Sequence, residues 1–254
     1  DELSGKVISG EVDIAALPTN MASVIYNKTE GDVQLVAINT LGVLYVLEDG
    51  DTINSIEDLR GKKINVSGKG ATPDYILKYL LKENDIDPEK DIEIDFSMQH
   101  ADLSAAVAAG DVDIALLPQP HVTAGLMKNE DIRIALDITE EWEKIVGEDN
   151  PLPMGCIVVR KEFADKYPEE LENFLTQYEE SVNWVNANNE EAGQLIEKQG
   201  ILPNAKLAEQ AIPKSNIVFL DGDKAKGSMD EFLKVLFELN PASVGGKLPD
   251  EAFY

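Results

Sequence analysis

The sequence predicts an α/β protein built as two similar lobes, and three observations carry that expectation. A ten-residue phrase occurs twice: Gly10-Glu11-Val12-Asp13-Ile14-Ala15-Ala16-Leu17-Pro18-Thr19 returns 100 residues later as Gly110-Asp111-Val112-Asp113-Ile114-Ala115-Leu116-Leu117-Pro118-Gln119. Short β-branched runs alternate with helical patterns, as in α/β layers with largely parallel sheets. The stretch from Ile64 to about Thr139 reads as one self-contained βαβαβ run. Each copy of the phrase reads as a helix end, a tight glycine turn, an apolar strand and a Pro-led loop at the strand's carboxyl end. In open α/β sheets ligands sit at that end. A spacing of 100 residues exceeds the roughly 20–50 of solenoid repeats, so duplicated lobes are the better reading.

Strands are expected at Val12–Leu17, Val33–Asn39, Val43–Leu47, Lys63–Val66, Ile92–Phe96, Val112–Leu117, Ile132–Asp137, Ile157–Arg160 and Ile217–Leu220. A first helix runs to Ser9. Further helical patterns cover Met21–Asn27, Pro73–Glu83, Ala101–Ala109, Val122–Lys128, Pro168–Ala187, Glu190–Lys198 and Ser228–Glu238. The central run is bounded by segments near Leu44–Ser55 and Thr139–Met154, so one lobe is expected to interrupt the other. Residues 52–140 then form the inserted lobe, and residues 1–51 with 141–254 form the discontinuous one. Two crossing segments make a hinge, the usual device for closing a cleft around a ligand.

Composition narrows the function. The chain has 48 acidic and 22 basic residues, a net charge of −26. Nucleic acid and anionic lipid surfaces are poor partners for such a surface, because both require clustered cations. Cys156 is the one cysteine, which excludes a disulfide framework and a thiolate metal cluster. Two histidines are too few for the usual zinc set, and neither a metal nor another cofactor is expected. No stretch reaches the roughly 18 apolar residues of a membrane span. No nucleophile elbow of the Gly-x-Ser-x-Gly kind occurs, and the many carboxylates read as solvated helix faces. The chain is not expected to be an enzyme.

Four segments carry a family resemblance: Gly10–Pro18; Asn54-Ser55-Ile56-Glu57-Asp58-Leu59-Arg60-Gly61-Lys62-Lys63-Ile64; Gly110–Pro118; and Val158-Val159-Arg160-Lys161-Glu162-Phe163 followed by Pro168. In this order and spacing the chain resembles the solute-binding proteins of bacterial ABC importers with the type II periplasmic-binding-protein fold. Within that fold it is most similar to the nitrate/sulfonate/taurine and thiamine-pyrimidine branch. The resemblance implies a two-lobed fold with a ligand cleft between lobes and two hinge-crossing strands. It implies capture of a small organic molecule, delivery to ABC permease subunits, and an extracytoplasmic location with a lipid anchor outside this chain. A monomer is expected. Members begin with a strand-helix-strand unit before the first Gly-Glu-Val-Asp, so the first lobe is expected to lack that unit here. Two alternatives stay open on the same fold: a cytosolic enzyme like those of the menaquinone pathway, and a sensory ligand-binding domain.

The candidate ligand residues fall in loops. Ser67, Gly68, Lys69, Gly70, Ala71 and Thr72 follow a strand and open a helix, with Thr72 suited to the N-cap and Pro73 to N1. The glycines permit close backbone approach, and the helix amino end offers N–H groups and partial positive charge. The spacing fits neither a Walker loop nor a dinucleotide fingerprint, and a plain strand-to-helix turn is the competing reading. Thr19, Asn20, Gln119, Pro120 and His121 follow the two repeated strands, as ligand contacts or as helix caps; His121 is also a candidate pH-sensitive group. Gln99 precedes a further helix, and for His100 a cap or turn role is an equal reading. Asn39, Thr40 and Leu41 border the cleft in the resembled family, and Met154 with Gly155 is expected on its floor. Cys156 reads as a buried small hydrophobe. Arginine occurs only at Arg60, Arg133 and Arg160, outside every candidate loop. Without an arginine fork the ligand is expected to be neutral, zwitterionic or singly anionic, a flat heterocycle among the possibilities.

Overall fold

The computed structural model describes residues 2–254. Its elements, in chain order, are α1 (Glu2–Ser9), β1 (Ile14–Pro18), α2 (Thr19–Lys28), β2 (Val33–Thr40), β3 (Leu44–Asp49), β4 (Lys63–Val66), α3 (Thr72–Glu83), β5 (Glu93–Asp95), α4 (His100–Ala109), β6 (Ile114–Pro118), α5 (His121–Leu126), β7 (Ile132–Asp137), α6 (Ile138–Val146), β8 (Gly155–Arg160), α7 (Lys161–Lys166), α8 (Pro168–Ala187), α9 (Asn189–Lys198), α10 (Ala205–Ala211), β9 (Ile217–Leu220) and α11 (Gly222–Leu239).

The chain divides into two compact units. The first comprises the stretch ending at Leu41, Asp149–Ala187 and Asn216–Tyr254; the second comprises Gly42–Glu148 and Asn188–Ser215. The first unit holds a four-stranded sheet in the order β1-β8-β2-β9, with every pairing antiparallel. The largely parallel sheet expected from the strand–helix alternation does not form there. The reason is β8, which lies between β1 and β2 and runs against both. The second unit holds a five-stranded sheet in the order β5-β4-β6-β3-β7. There β5, β4 and β6 are parallel, and β3 is wedged antiparallel between β6 and β7.

The division differs from the sequence expectation at both boundaries. Residues 42–51 were placed with the first lobe, but β3 hydrogen-bonds to β6 and β7 along its whole length. Residues 141–148 also fall in the second unit, and α6 runs to Val146; its fully buried Trp142 packs at a tilt against Tyr79 of α3 with ring centroids 5.3 Å apart. The acidic composition of 140–150 hid this helix from the sequence reading, although Asp137 caps it by accepting the Thr139 N–H at 2.9 Å. Helices α9 and α10 also join the second unit. They approach so closely that a side chain at Gly193 would sit 2.6 Å from the Ala205 carbonyl oxygen.

Both cores follow from strand patterning. In the second unit Tyr45, Leu47, Leu103, Val107, Val112, Ala115, Leu117, Val122 and Ile132 form one apolar cluster. In the first, β8 contributes Cys156, Ile157, Val158 and Val159, all buried, beside Ala37 and Ile38 of β2. Helix α2 adds a polar seam at helical spacing. Asn20 Nδ2 donates to the Ser243 carbonyl at 3.2 Å, Ser23 Oγ to Val244 at 2.8 Å and Asn27 Nδ2 to Val244 at 2.9 Å.

Candidate functional site

In the second unit three parallel strands, β4, β5 and β6, end at the same sheet edge, and each is followed by a loop and a helix. The first residues of those helices are Thr72, His100 and His121. The three loops meet there. The Ser67 hydroxyl, at the end of β4, is hydrogen-bonded to His100 Nδ1. The His100 and His121 rings stack, with centroids 5.3 Å apart and planes 26° apart. Ser67 is 1% exposed, while both imidazoles are half-buried. Burial lowers the pKa of His100 below its ordinary value, and burial followed by repulsion from His100 lowers that of His121. Either ring is therefore favoured neutral at neutral pH.

Gln119 completes the cluster. Its Oε1 accepts the Thr123 hydroxyl at 2.8 Å and the Thr123 N–H at 3.3 Å. Its Nε2 is buried and donates to no acceptor among the described residues; the residue is 8% exposed. A buried amide donor left without a partner costs free energy that a bound acceptor would recover.

The glycine loop has a more closed geometry than its sequence suggests. Gly68 and Gly70 adopt φ of 90° and 71°, conformations that favour glycine. The capping position of α3 is Ala71 rather than Thr72, with Pro73 in the first turn. The buried Asp74 carboxylate reaches back to accept the Gly70 N–H at 2.8 Å and pairs with Lys78 at 2.9 Å. The Ala71 N–H donates to the Gly68 carbonyl at 3.0 Å. Much of the amino end of α3 is thus occupied by the protein's own groups. The space over Gly70 is open: a Cβ there would meet nothing within 4 Å. Lys69 and Lys78 place their ammonium groups 5.7 and 5.9 Å from the centre of the Phe96 ring, so Lys69 has a cation–π partner at the edge of the cluster.

The first-unit candidates also come together, at the carboxyl ends of β1 and β2 beside the start of β8. Pro18 and Thr40 both pair with Gly155. Thr19 is fully buried; its hydroxyl donates to the Pro153 carbonyl at 2.8 Å and its N–H to Met154 at 3.3 Å. The Met154 N–H in turn donates to Thr40 at 2.9 Å, and the Leu41 N–H to Asn216 at 3.0 Å. Asn39 Nδ2 donates to the Tyr178 hydroxyl at 3.1 Å, and Thr40 Oγ1 to Asn39 Oδ1 at 3.3 Å. Gly155 is required by crowding, since a Cβ there would lie 2.6 Å from Asn39 Oδ1. Asn20 is held in the α2 seam. Cys156 is fully buried and burial pushes its thiol well up, the opposite of an activated nucleophile.

The remaining candidates are peripheral. Gln99 is exposed, its side chain makes no cap, and its carbonyl accepts the Leu103 N–H at 2.8 Å. Pro120 follows a cis peptide. All three arginines are engaged in ion pairs: Arg60 with Asp91 at 2.8 Å, Arg133 with Glu48 at 2.7 Å and Arg160 with Asp13 at 3.0 Å. Among the described residues no group of three or more His, Cys, Asp or Glu is arranged to hold a metal ion. No helix among them is long and apolar enough to cross a membrane. Sequence reasoning missed Phe96 and Lys78, and for His100 it leaves a cap or turn role as an equal reading. The available signal was positional, because His100 occupies the same place after its strand as Thr72 and His121 do after theirs.

Comparison with known proteins gives concordant matches. The family described as ABC transporter, phosphonate, periplasmic substrate-binding protein matches residues 2–206. The taurine-binding periplasmic protein of Escherichia coli (strain K12) is 31% identical over 166 residues, 65% of this chain and 48% of that relative. The chain thus spans about half the length of that curated relative. Among solved structures, an ABC transporter protein from Parabacteroides distasonis is 25% identical with a TM-score of 0.83, covering 99% of this chain and 84% of its own. The periplasmic aliphatic sulphonate-binding protein SsuA of Escherichia coli shares the fold at 16% identity, with a TM-score of 0.76 over 98% of this chain and 79% of its own.

Proposed function

The chain belongs to the periplasmic phosphonate-binding family of ABC-transporter substrate-binding proteins, and we propose that it captures a small organic acid bearing a sulfonate- or phosphonate-type head group. The observation that carries this reading is the convergence of Ser67, His100, His121 and the unpartnered Gln119 amide at the ends of three parallel strands. A sulfonate presents only acceptors, and a singly charged phosphonate presents two acceptor oxygens beside one hydroxyl. This cluster offers a hydroxyl, two imidazoles and a buried NH₂ group from the three loops after β4, β5 and β6, with Lys69 at its edge. The named relatives bind molecules of this class. With all three arginines already paired, the head group would be held by neutral donors and at most one ammonium, which suits a single negative charge.

Binding, not chemistry, is the proposed work. The buried thiol of Cys156 is inert, and among the described residues the imidazole pair has no carboxylate orienter. Delivery to ABC permease subunits, an extracytoplasmic location, lipid anchoring and a monomeric state are part of the same proposal. Calorimetric titration with taurine, ethanesulfonate and methylphosphonate, against a neutral amino acid as control, tests it. At least one acid should bind. Saturation at 100 times Kd should add about 2.7 kcal/mol to stability. Absence of heat and of any melting shift with all three acids would refute the reading.

A further inference from the structure

Both histidines of the chain lie in this one cluster, face to face. We propose that the His100–His121 pair acts as a proton-coupled receptor: capture of a sulfonate head group draws one proton onto the two stacked imidazoles. This inference rests on the oxyanion reading above and concerns how that same site is regulated.

Two imidazolium rings at 5.3 Å repel each other, so the pair accommodates one proton far more readily than two. Without an anion, half-burial disfavours even the first, and both rings are held below their ordinary pKa. A bound sulfonate reverses the balance. It brings a fixed negative charge and oxygens that only accept hydrogen bonds, and an imidazolium donates from both nitrogens where a neutral ring donates from one. The Ser67 hydroxyl suits either state, because it donates to an unprotonated Nδ1 and accepts from a protonated one.

The surrounding charges do not pre-empt this role. From the β4–α3 side, Asp74 is committed to Lys78 and the Gly70 N–H, and both Lys69 and Lys78 lie over Phe96. From the β5–α4 side, Asp95 is paired with Lys63 and the Ser97 N–H, and Asp102 is exposed. On the α5 side, the Ser104 hydroxyl donates to the His121 carbonyl and leaves the ring free of that bond. Among the described residues no carboxylate is hydrogen-bonded to either imidazole, so the ligand itself is the counter-charge that the pair lacks.

The test is titration calorimetry with whichever of taurine, ethanesulfonate or methylphosphonate binds, from pH 5.5 to 8, in two sulfonate-free buffers of different ionisation enthalpy. Sulfonates keep their charge throughout that range, so their pH dependence reports on the protein. The expected result is uptake of close to one proton near neutral pH. Sulfonate affinity should rise as pH falls, by up to about tenfold per unit between the free and liganded pKa values. The His100→Asn/His121→Asn double variant should lose the proton uptake, and the single His121→Asn variant serves where the double variant does not fold. Tight binding with no proton exchange and a flat pH profile would overturn this inference while leaving the oxyanion reading intact. No binding by any of the three acids at any pH would overturn both.

Discussion

The two copies of the repeated phrase build the same turn and then diverge. At the first, the Gly10 N–H donates to Val7 at 3.1 Å and the Glu11 N–H to Lys6 at 2.9 Å; at the second, Gly110 donates to Val107 at 3.1 Å and Asp111 to Ala106 at 2.9 Å. Both glycines have φ of 77°. This is the same left-handed helix stop used twice. The strands that follow have different neighbours. β1 lies at the edge of its sheet and alternates in burial, whereas β6 lies between β4 and β3 and is buried through Leu117. The loops diverge most. After β1, Thr19 and Asn20 spend their polar groups on the protein's own backbone. After β6, Gln119 keeps a buried donor without a partner among the described residues, and His121 lies on His100. The repeat therefore specifies the supersecondary unit, while two or three residues past its end separate a fastening from the proposed receptor.

Substitutions at matched positions should separate those roles. Thr19→Val should have the largest effect on stability, because it leaves the Pro153 carbonyl buried and unpaired. A loss of about 1–3 kcal/mol is expected in denaturant melts, with unchanged affinity for the bound acid. Alanine at Gly10 or Gly110 should cost about 1–2 kcal/mol each for the left-handed backbone. Gly10 should be the worse of the two, because its Cβ would lie 3.1 Å from the Arg160 guanidinium carbon, whereas at Gly110 the nearest atom is 3.6 Å away. Equal melting shifts would show that the Arg160 side chain simply moves aside.

Gln119→Ala should invert the Thr19 pattern. Removing one hydrogen bond to a charged head group costs about 1.5–3 kcal/mol, roughly ten- to a hundredfold in affinity. The expected stability change is smaller, since the orphan amide is removed along with the Thr123 contacts. A variant that melts early and binds normally would move Gln119 to the structural side of the comparison. The smallest effect is on pH dependence. Because the folded pKa values of His100 and His121 lie below the unfolded value of about 6.5, their contribution is complete above that pH. It is lost as pH falls through the lowered folded values. Ligand-free protein should therefore lose stability on acidification in this window more steeply than the His100→Asn/His121→Asn variant, as read from melting temperatures.

Much of this was legible in the sequence. Strand and helix periodicity located most elements, and the Gly-Asp-Val-Asp phrase marked both sheet edges. The inclusion of β3 in the second sheet was not legible. An antiparallel guest strand has the same apolar pattern as a parallel one, and only its pairing with β6 and β7 reveals its unit. The second-unit loops read in the sequence as candidate ligand loops, but nothing there signals that Asp74 closes the glycine loop from within. Nor could it show that Thr19 is sealed under Pro153. Both facts depend on where a side chain turns after its backbone is placed. For His100 a cap or turn role reads as an equal alternative to ligand contact, because nothing in its neighbours shows that its ring meets a residue 21 positions on.

The most direct measurement exploits the fact that the chain has two histidines, both in the cluster. Imidazole ring resonances should be followed by NMR while a binding sulfonate is titrated into wild-type and Thr19→Ala protein. Both histidines should shift and saturate with the same dissociation constant, in wild type and variant alike. If calorimetry reports binding while both imidazole signals stay where they are, the receptor is not at the ends of β4, β5 and β6.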